Sequence, residues 1–240
     1  MPSKLAVAGA LAGLSAGAYL YAAMYPQSQL FGRTVVAGRS PSEFALTYDD
    51  GPNDPYTPQL LDLLAEHNVR ATFFMIGGYV RQRPDLVRRV HAAGHLIGNH
   101  TMSHPFLPLL SPRRVEQELA GCNARLEDVL GAPVRFFRPP HGARRPDILR
   151  TARRLGLTAV LWNAMGFDWQ PKQTGATIAA HLTRGVAHNL RRGRGSNLLL
   201  HDGGHLAMGT DRSRSIEATR LILRRWSPGT TQYVTVDAWA

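Results

Sequence analysis

Lysine and cysteine are nearly missing from this 240-residue chain, and each absence narrows what the protein can be. Lysine occurs only at Lys4 and Lys172, yet Lys+Arg total 28 against 17 Asp+Glu, so arginine carries almost all of the net charge of +11. A basic surface favours anionic partners: nucleic acid, an acidic membrane or an acidic glycan. Nucleic acid fits poorly. The arginines are scattered in pairs (Arg88-Arg89, Arg113-Arg114, Arg144-Arg145, Arg153-Arg154), and the densest run, "LRRGRGS" at 190–196, has no interleaved aromatics on which bases could stack. The single cysteine excludes an intrachain disulfide and a cysteine-based metal cluster. Cys122 also shares the apolar face of a helical pattern with Val115, Leu119, Leu126 and Val129, which places it in the core.

Charge of either sign is absent from Leu5 to Tyr25. This run, "LAVAGALAGLSAGAYLYAAMY", is 21 residues long, close to the ~20 with which a helix spans a bilayer. It lacks the short apolar core and A-x-A-like exit of a cleaved signal peptide. Residues 1–25 are therefore expected to be a retained single-pass membrane anchor, with an uncleaved signal as the alternative. Lys4 on one flank and Arg33 and Arg39 on the other leave orientation open. Gly9, Gly13 and Gly17 form a small-xxx-small face; a monomer is expected, with anchor-mediated dimerisation as the alternative. Residues 26–42, punctuated by Pro26, Gly32, Gly38 and Pro41, read as a linker, and 43–240 as one domain.

Within that domain short apolar runs alternate with amphipathic stretches. Candidate strands are 44–48, 71–77, 95–99, 134–137, 158–163, 197–200 and 233–236, and helical patterns lie at 57–68, 84–94 and 145–156. Regular alternation of this kind argues for an α/β fold, and about seven units for a distorted (β/α) barrel of parallel strands. The strand ends are unusually polar. They run into Asp49-Asp50, His100, Arg138, Asp168-Trp169 and His201-Asp202, and in a parallel barrel these ends meet on one rim. Two adjacent acids repel and need compensation. In "NHTMSH", His100 and His104 stand at i and i+4, so in a helical turn both imidazoles share one face. Two histidines and a carboxylate are a common three-ligand set that leaves a transition metal an open position. A cation held by Asp50, His100 and His104 would offset the repulsion between Asp50 and Asp49.

The ordered set "TYDDGP", "HTMSH", "RPPHG", "FDW" and "LLH" resembles the polysaccharide deacetylases with a NodB homology domain, carbohydrate esterase family 4, over residues 43–240. The resemblance implies that Asp49 is the general base, that Asp50, His100 and His104 bind one divalent transition metal (zinc in most of the family, with Co2+ or Ni2+ as alternatives), and that Arg138 orients Asp49. It implies further that Asp168 holds His201, the general acid. Trp169 and Leu199 would line the pocket for the acetyl methyl, and the backbone N–H of His141 would donate to the oxyanion. Three positions depart from the family pattern: Tyr48 replaces phenylalanine, His141 replaces tyrosine, and Met165 stands where D-x-x-D-W has its first acid.

The implied activity is metal-dependent removal of N-acetyl groups from amino sugars of a cell-envelope polysaccharide, peptidoglycan- or chitin-like. Alternatives are the same chemistry on O-acetyl xylan or a lipid-linked sugar, and a silent carbohydrate-binding relic. Such substrates would put the domain outside the cytoplasmic membrane. Outside the motifs, His67 and His91 read as surface residues, His95 as a hydrogen-bonded core histidine and Asp54 as a helix cap. His181 and His188 belong to a basic helix, and Asp202 and His205 could line the mouth of the site.

Overall fold

The computed structural model describes residues 15–240. Its centre is a parallel sheet of β1 (Glu43–Gly51), β2 (Thr72–Met75), β3 (Leu96–Asn99), β4 (Phe136–Phe137), β5 (Thr158–Ala159), β6 (Ala164–Met165), β7 (Ser196–His201) and β8 (Gln232–Tyr233). The order is β5-β4-β3-β2-β1-β7-β6, with β8 also beside β1. Parallel neighbours need long crossovers. These are supplied by α2 (Tyr56–Glu66), α3 (Gly77–Gln82), α4 (Pro84–Ala92), α5 (Pro112–Leu130), α6 (Pro146–Arg154), α7 (Gly175–Arg191) and α8 (Ser213–Arg225).

The seven strands in line form an α/β half-barrel, where a distorted (β/α) barrel of about seven strands was expected. Its edges, β5 and β6, do not pair with each other. The cause is local: the strand predicted over 158–163 is split, with β5 ending at Ala159 on one edge and β6 beginning at Ala164 on the other. Residues 160–163 cross the opening, where Leu161 and Trp162 are buried. Upstream chain packs into the same place. The Val35 N–H donates to the Ala159 carbonyl at 2.9 Å, and its carbonyl accepts from the Leu161 N–H at 2.8 Å. Residues 26–42, expected as a linker, thus lie along the domain, with Ser28 and Thr34 buried.

Residues 15–24 are helical (α1). Ala22 and Ala23 of α1 are buried, whereas Tyr19, Leu20 and Tyr21 are exposed. Most of the expected anchor, with Gly9 and Gly13, lies outside the described residues. Among those described, no helix is long and apolar enough to cross a membrane.

Side-chain alternation along β1 divides core from site. Phe44, Leu46 and Tyr48 join the large apolar cluster shared with Leu60 and Leu64 of α2, Leu182 of α7 and Ile222 of α8. Ala45, Thr47 and Asp49 face the other way, into the half-barrel, where Thr47 and Asp49 both accept from Arg138. The expected α5 face is borne out: Val115, Leu119, Cys122 and Leu126 are buried.

Gly98 of β3 fixes how closely the interior packs. A Cβ there would stand 2.5 Å from two atoms of the Phe74 ring, and the Arg138 guanidinium lies over that ring at 4.2 Å. We expect Gly98→Ala to destabilise the protein by about 1–3 kcal/mol through overpacking, read from the urea midpoint at unchanged slope; a wild-type midpoint would contradict this packing.

Candidate active site and metal centre

Neighbouring residues on an ideal strand point to opposite faces, so Asp49 and Asp50 should diverge. They do not. The register with β2 shifts between Asp49 and Gly51, and Asp50 takes a left-handed φ of 72°. This bulge-like irregularity turns both carboxylates to one cavity. Gly51 completes the turn, because a Cβ there would run into the Asp202 carboxylate. Asp202 is buried, accepts from the Thr57 hydroxyl at 2.5 Å, and is pushed up by burial to about 7.

Asp50 Oδ1 is buried and has no hydrogen-bond partner among the described residues. It lies 3.4 Å from Nε2 of His100 and 3.3 Å from Nε2 of His104. His100 Nδ1 lies 2.8 Å from the Arg138 carbonyl. Donating its proton there leaves the Nε2 lone pair free towards Asp50. Burial, helped by the neighbouring His100, pushes His104 down to about 3, so its imidazole is neutral, the form that binds metal. Burial alone would raise the Asp50 carboxyl, but the surrounding imidazoles of His100, His201 and His104 outweigh it and hold it below the usual carboxylate range. The three donor atoms lie within 4.8 Å of one another. An orphaned carboxylate oxygen facing the Nε2 atoms of two imidazoles is a donor set that fits a divalent metal.

The histidine pair does not sit on a helical turn as predicted. Residues 100–104 are a loop in which Thr101 and His104 have φ of 67° and 56°. Side chains hold this shape. The Thr101 N–H donates to Asn99 Oδ1 at 2.8 Å and the His104 N–H to Thr101 Oγ1 at 3.0 Å. The N–H and hydroxyl of Ser103 donate to the two oxygens of buried Glu118, each at 2.9 Å. Glu118 gave no sequence signal, since a lone acid on an amphipathic helix normally faces water.

Beside the metal set stand two acid–base pairs. Arg138, fully buried, donates to Asp49 Oδ1 at 2.8 Å, while Asp49 Oδ2 lies 3.8 Å from His100 Nε2. On the other side Asp168 accepts from His201 Nδ1 at 2.8 Å, from the His201 backbone N–H at 2.8 Å and from the Ser215 hydroxyl at 2.6 Å. Burial opposes the charged form of His201, but Asp168, helped by Asp50 and Asp49, raises it to about 9.

Asp49, Asp50, His100, His104, His141, Trp169, Leu199 and His201 line one cavity of about 540 Å³; Arg138 and Asp168 lie behind it. A larger hollow of about 790 Å³, lined in part by Arg33, Glu43, Arg153 and Trp239, contains none of these groups. Met165 also faces the site cavity. The change at Tyr48 does not touch the site, because its hydroxyl meets Thr219 of α8 at 3.0 Å on the opposite face of β1. His95 is a core histidine as expected, accepting from the Ala71 N–H at 3.1 Å. Asp54 does not cap α2; it pairs with Arg83. His205 does reach the mouth, stacked on His104 with ring centroids 4.4 Å apart.

The family profile described as polysaccharide deacetylase matches residues 37–160. A chitooligosaccharide deacetylase of Sinorhizobium fredii is 43% identical over 159 residues, covering 66% of this chain and 71% of that protein. A peptidoglycan-N-acetylglucosamine deacetylase of Bacillus cereus is 36% identical over 193 residues, 80% of this chain and 85% of that one. Among solved structures, a family 4 acetyl xylan esterase from Clostridium thermocellum in complex with a cobalt ion superimposes with a TM-score of 0.71 at 29% identity, covering 82% and 89% of the two chains.

Because Glu118 holds the loop that carries His104, we expect Glu118→Ala to weaken binding of Co2+ to the metal-free protein by about 10–100-fold. Titration followed by the visible absorption of bound Co2+ measures this. Wild-type affinity in a folded Glu118→Ala variant would show that the loop holds its shape without Glu118.

Proposed function

Because this chain belongs to the polysaccharide deacetylase family (carbohydrate esterase family 4, NodB-like) and is a metal-dependent carbohydrate deacetylase, we propose that it removes N-acetyl groups from N-acetylglucosamine units of a chitin- or peptidoglycan-like envelope polysaccharide. The observation that carries this reading is the placement of two differently poised pairs, Asp49 with Arg138 and His201 with Asp168, around one metal-ligand set. The relatives named for chitooligosaccharide and peptidoglycan deacetylation support the substrate class.

Asp50, His100 and His104 would hold a divalent cation, which would supply Lewis-acid chemistry towards the acetyl carbonyl and the attacking water. Two imidazoles and one carboxylate suit zinc, with Co2+ or Ni2+ able to substitute. Asp49 takes the proton of the attacking water, and Arg138, donating to Asp49 Oδ1, holds its carboxylate in place. The backbone N–H of His141 donates to the developing oxyanion. Such a donor is worth roughly 3 kcal/mol. His201 enters as imidazolium. With Nδ1–H committed to Asp168, its Nε2 proton goes to the leaving nitrogen, which is otherwise expelled as a strongly basic amide anion. Trp169 and Leu199 pack around the acetyl methyl group.

The same machinery can cleave O-acetyl esters, and the likeness to the acetyl xylan esterase favours that as the second reading. A silent relic would have lost at least one of Asp49, Asp50, His100, His104 and His201, and all five are present. We further propose that residues 5–21 of the uncharged run anchor the chain in the cytoplasmic membrane with the domain outside, where acetylated envelope glycans are found; Ala22 and Ala23 are already buried against the domain. A helix of roughly 17 apolar residues is at the short end of what spans a bilayer. Protease treatment of intact spheroplasts should degrade the domain; protection until lysis would place it inside.

Incubation with N-acetylglucosamine oligomers should release acetate, with a mass loss of one acetyl group per modified sugar; turnover on acetyl xylan alone would replace the leading reading with the second. The acid role of His201 fixes the sign of the pH response. Its protonated form is the active one, so turnover falls as pH rises through its pKa, at or below about 9 because a bound cation opposes imidazolium. Asp168→Asn removes the charge that raises this pKa. We expect the alkaline limb of kcat/KM to move to lower pH in that variant, and an unmoved limb would assign the limb to another group.

A further inference from the structure

The chain upstream of the catalytic domain reaches into the site. Met24 and Pro26 line the same cavity as His141, Trp162, Met165 and Leu199. What holds them there is Arg144, three residues beyond His141 and 1% exposed. Its guanidinium is spent on backbone carbonyls: Nη1 donates to Gly142 at 2.9 Å and to Ala23 at 3.4 Å, and Nη2 to Tyr25 at 2.7 Å and to Ser28 at 2.9 Å. The Arg144 backbone N–H also donates to the Ala23 carbonyl at 3.0 Å. No carboxylate among the described residues pairs with this guanidinium.

Burial disfavours the charged form and pushes Arg144 down to about 10. Compensation comes from carbonyls at and just beyond the carboxyl-terminal end of α1, where unsatisfied acceptors and the negative end of the helix dipole coincide. A guanidinium is the one side chain that can serve several carbonyls at once from a rigid plane. The latch therefore joins the loop of "RPPHGARR" to residues 23–28 as one unit. Ala22, Ala23 and Ser28 are buried beneath it, while the Met24 side chain stays 38% exposed on the cavity side.

We propose that Met24 and Pro26, latched by Arg144, form a substrate-binding wall that packs against the apolar face of a sugar ring neighbouring the one deacetylated. Preference for glycan length then resides partly in the amino-terminal segment, outside the residues that carry the family motifs. The wall is aliphatic, as the C–H face of a pyranose requires, and it belongs to the same cavity as the acid, the base and the metal ligands. The proposal rests on a glycan substrate as read above.

The test is steady-state kinetics of the full chain on N-acetylglucosamine oligomers of increasing length, comparing wild type, Met24→Ser and Arg144→Met. For Met24→Ser we expect KM to rise roughly tenfold on the longer oligomers, the scale of one lost apolar contact. The rise should shrink as the oligomer shortens, with kcat within twofold and metal content near one per chain. Arg144→Met should show the same length-dependent rise in KM, together with a lower Tm. Wild-type KM at every length in Met24→Ser would overturn the wall, whatever Arg144→Met does. A wild type inactive on N-acetylglucosamine oligomers but active on acetylated xylan oligomers would refute the substrate reading instead. The same variants run on xylan oligomers would then decide the wall, a wild-type KM again overturning it.

Discussion

A guanidinium without access to water lies inside the half-barrel, and much of the site is arranged around it. Arg138 donates from Nη1 to Thr47 and Asp49 of β1 and stands over the Phe74 ring of β2. Its Nη2 lies 3.3 Å from the Leu161 carbonyl in the crossing segment and 3.5 Å from Asn197 Oδ1 on β7. Its own carbonyl accepts a hydrogen bond from the Nδ1–H of His100. One residue therefore holds Asp49, the proposed base, with its side chain and fixes the tautomer of the metal ligand His100 with its backbone. Burying such a pair gives little net stability, yet removing one partner strands the other charge and costs about 3–5 kcal/mol. Thr47, Asp49, Asn197 and the Val160 and Leu161 carbonyls satisfy the Arg138 guanidinium among otherwise apolar neighbours such as Phe74 and Trp162.

The two histidines that matter most are driven in opposite directions by what surrounds them. His104 is buried among other imidazoles and is pushed down to about 3, so it stays neutral and available as a ligand. His201 is also largely enclosed, but its Nδ1–H donates to the Asp168 carboxylate, and it is pushed up to about 9. Environments that separate the pKa values of like groups within one cavity suit the proposed roles, His201 as acid and His104 as ligand. The adjacent acids differ in the partners they meet. Asp49 is taken by Arg138, while Asp50 Oδ1 is left without a protein donor, facing two imidazoles.

Much of this was legible in the sequence because strand ends are marked by abrupt changes from apolar to polar residues. The motifs at 48–52, 100–104, 138–142, 167–169 and 199–201 converge because they follow strands of one parallel sheet, and the order of alternation was enough to see it. What escaped depends on contacts between distant residues. The irregularity at Asp50 has no signature beyond Gly51, since alternation alone would have sent the two acids apart. The spacing of His100 and His104 suggested a helical turn, whereas Glu118, fifteen residues from Ser103, shapes a loop instead. The run 158–163 reads as one strand, but it crosses between two edges of the sheet. Residues 26–42 look like a linker by composition, and only their bonds to Ala159, Leu161 and Arg144 reveal them as part of the domain.

The central claim is that two neighbouring acids divide their work, Asp49 moving a proton and Asp50 binding the metal. Parallel measurement of metal content and turnover in Asp49→Asn and Asp50→Asn tests it directly. The expected result is that Asp49→Asn keeps about one divalent ion per chain while turnover falls by a factor on the order of 10² or more, and that Asp50→Asn loses the ion. An ion lost from Asp49→Asn and kept by Asp50→Asn would contradict the division of roles along "DDGP".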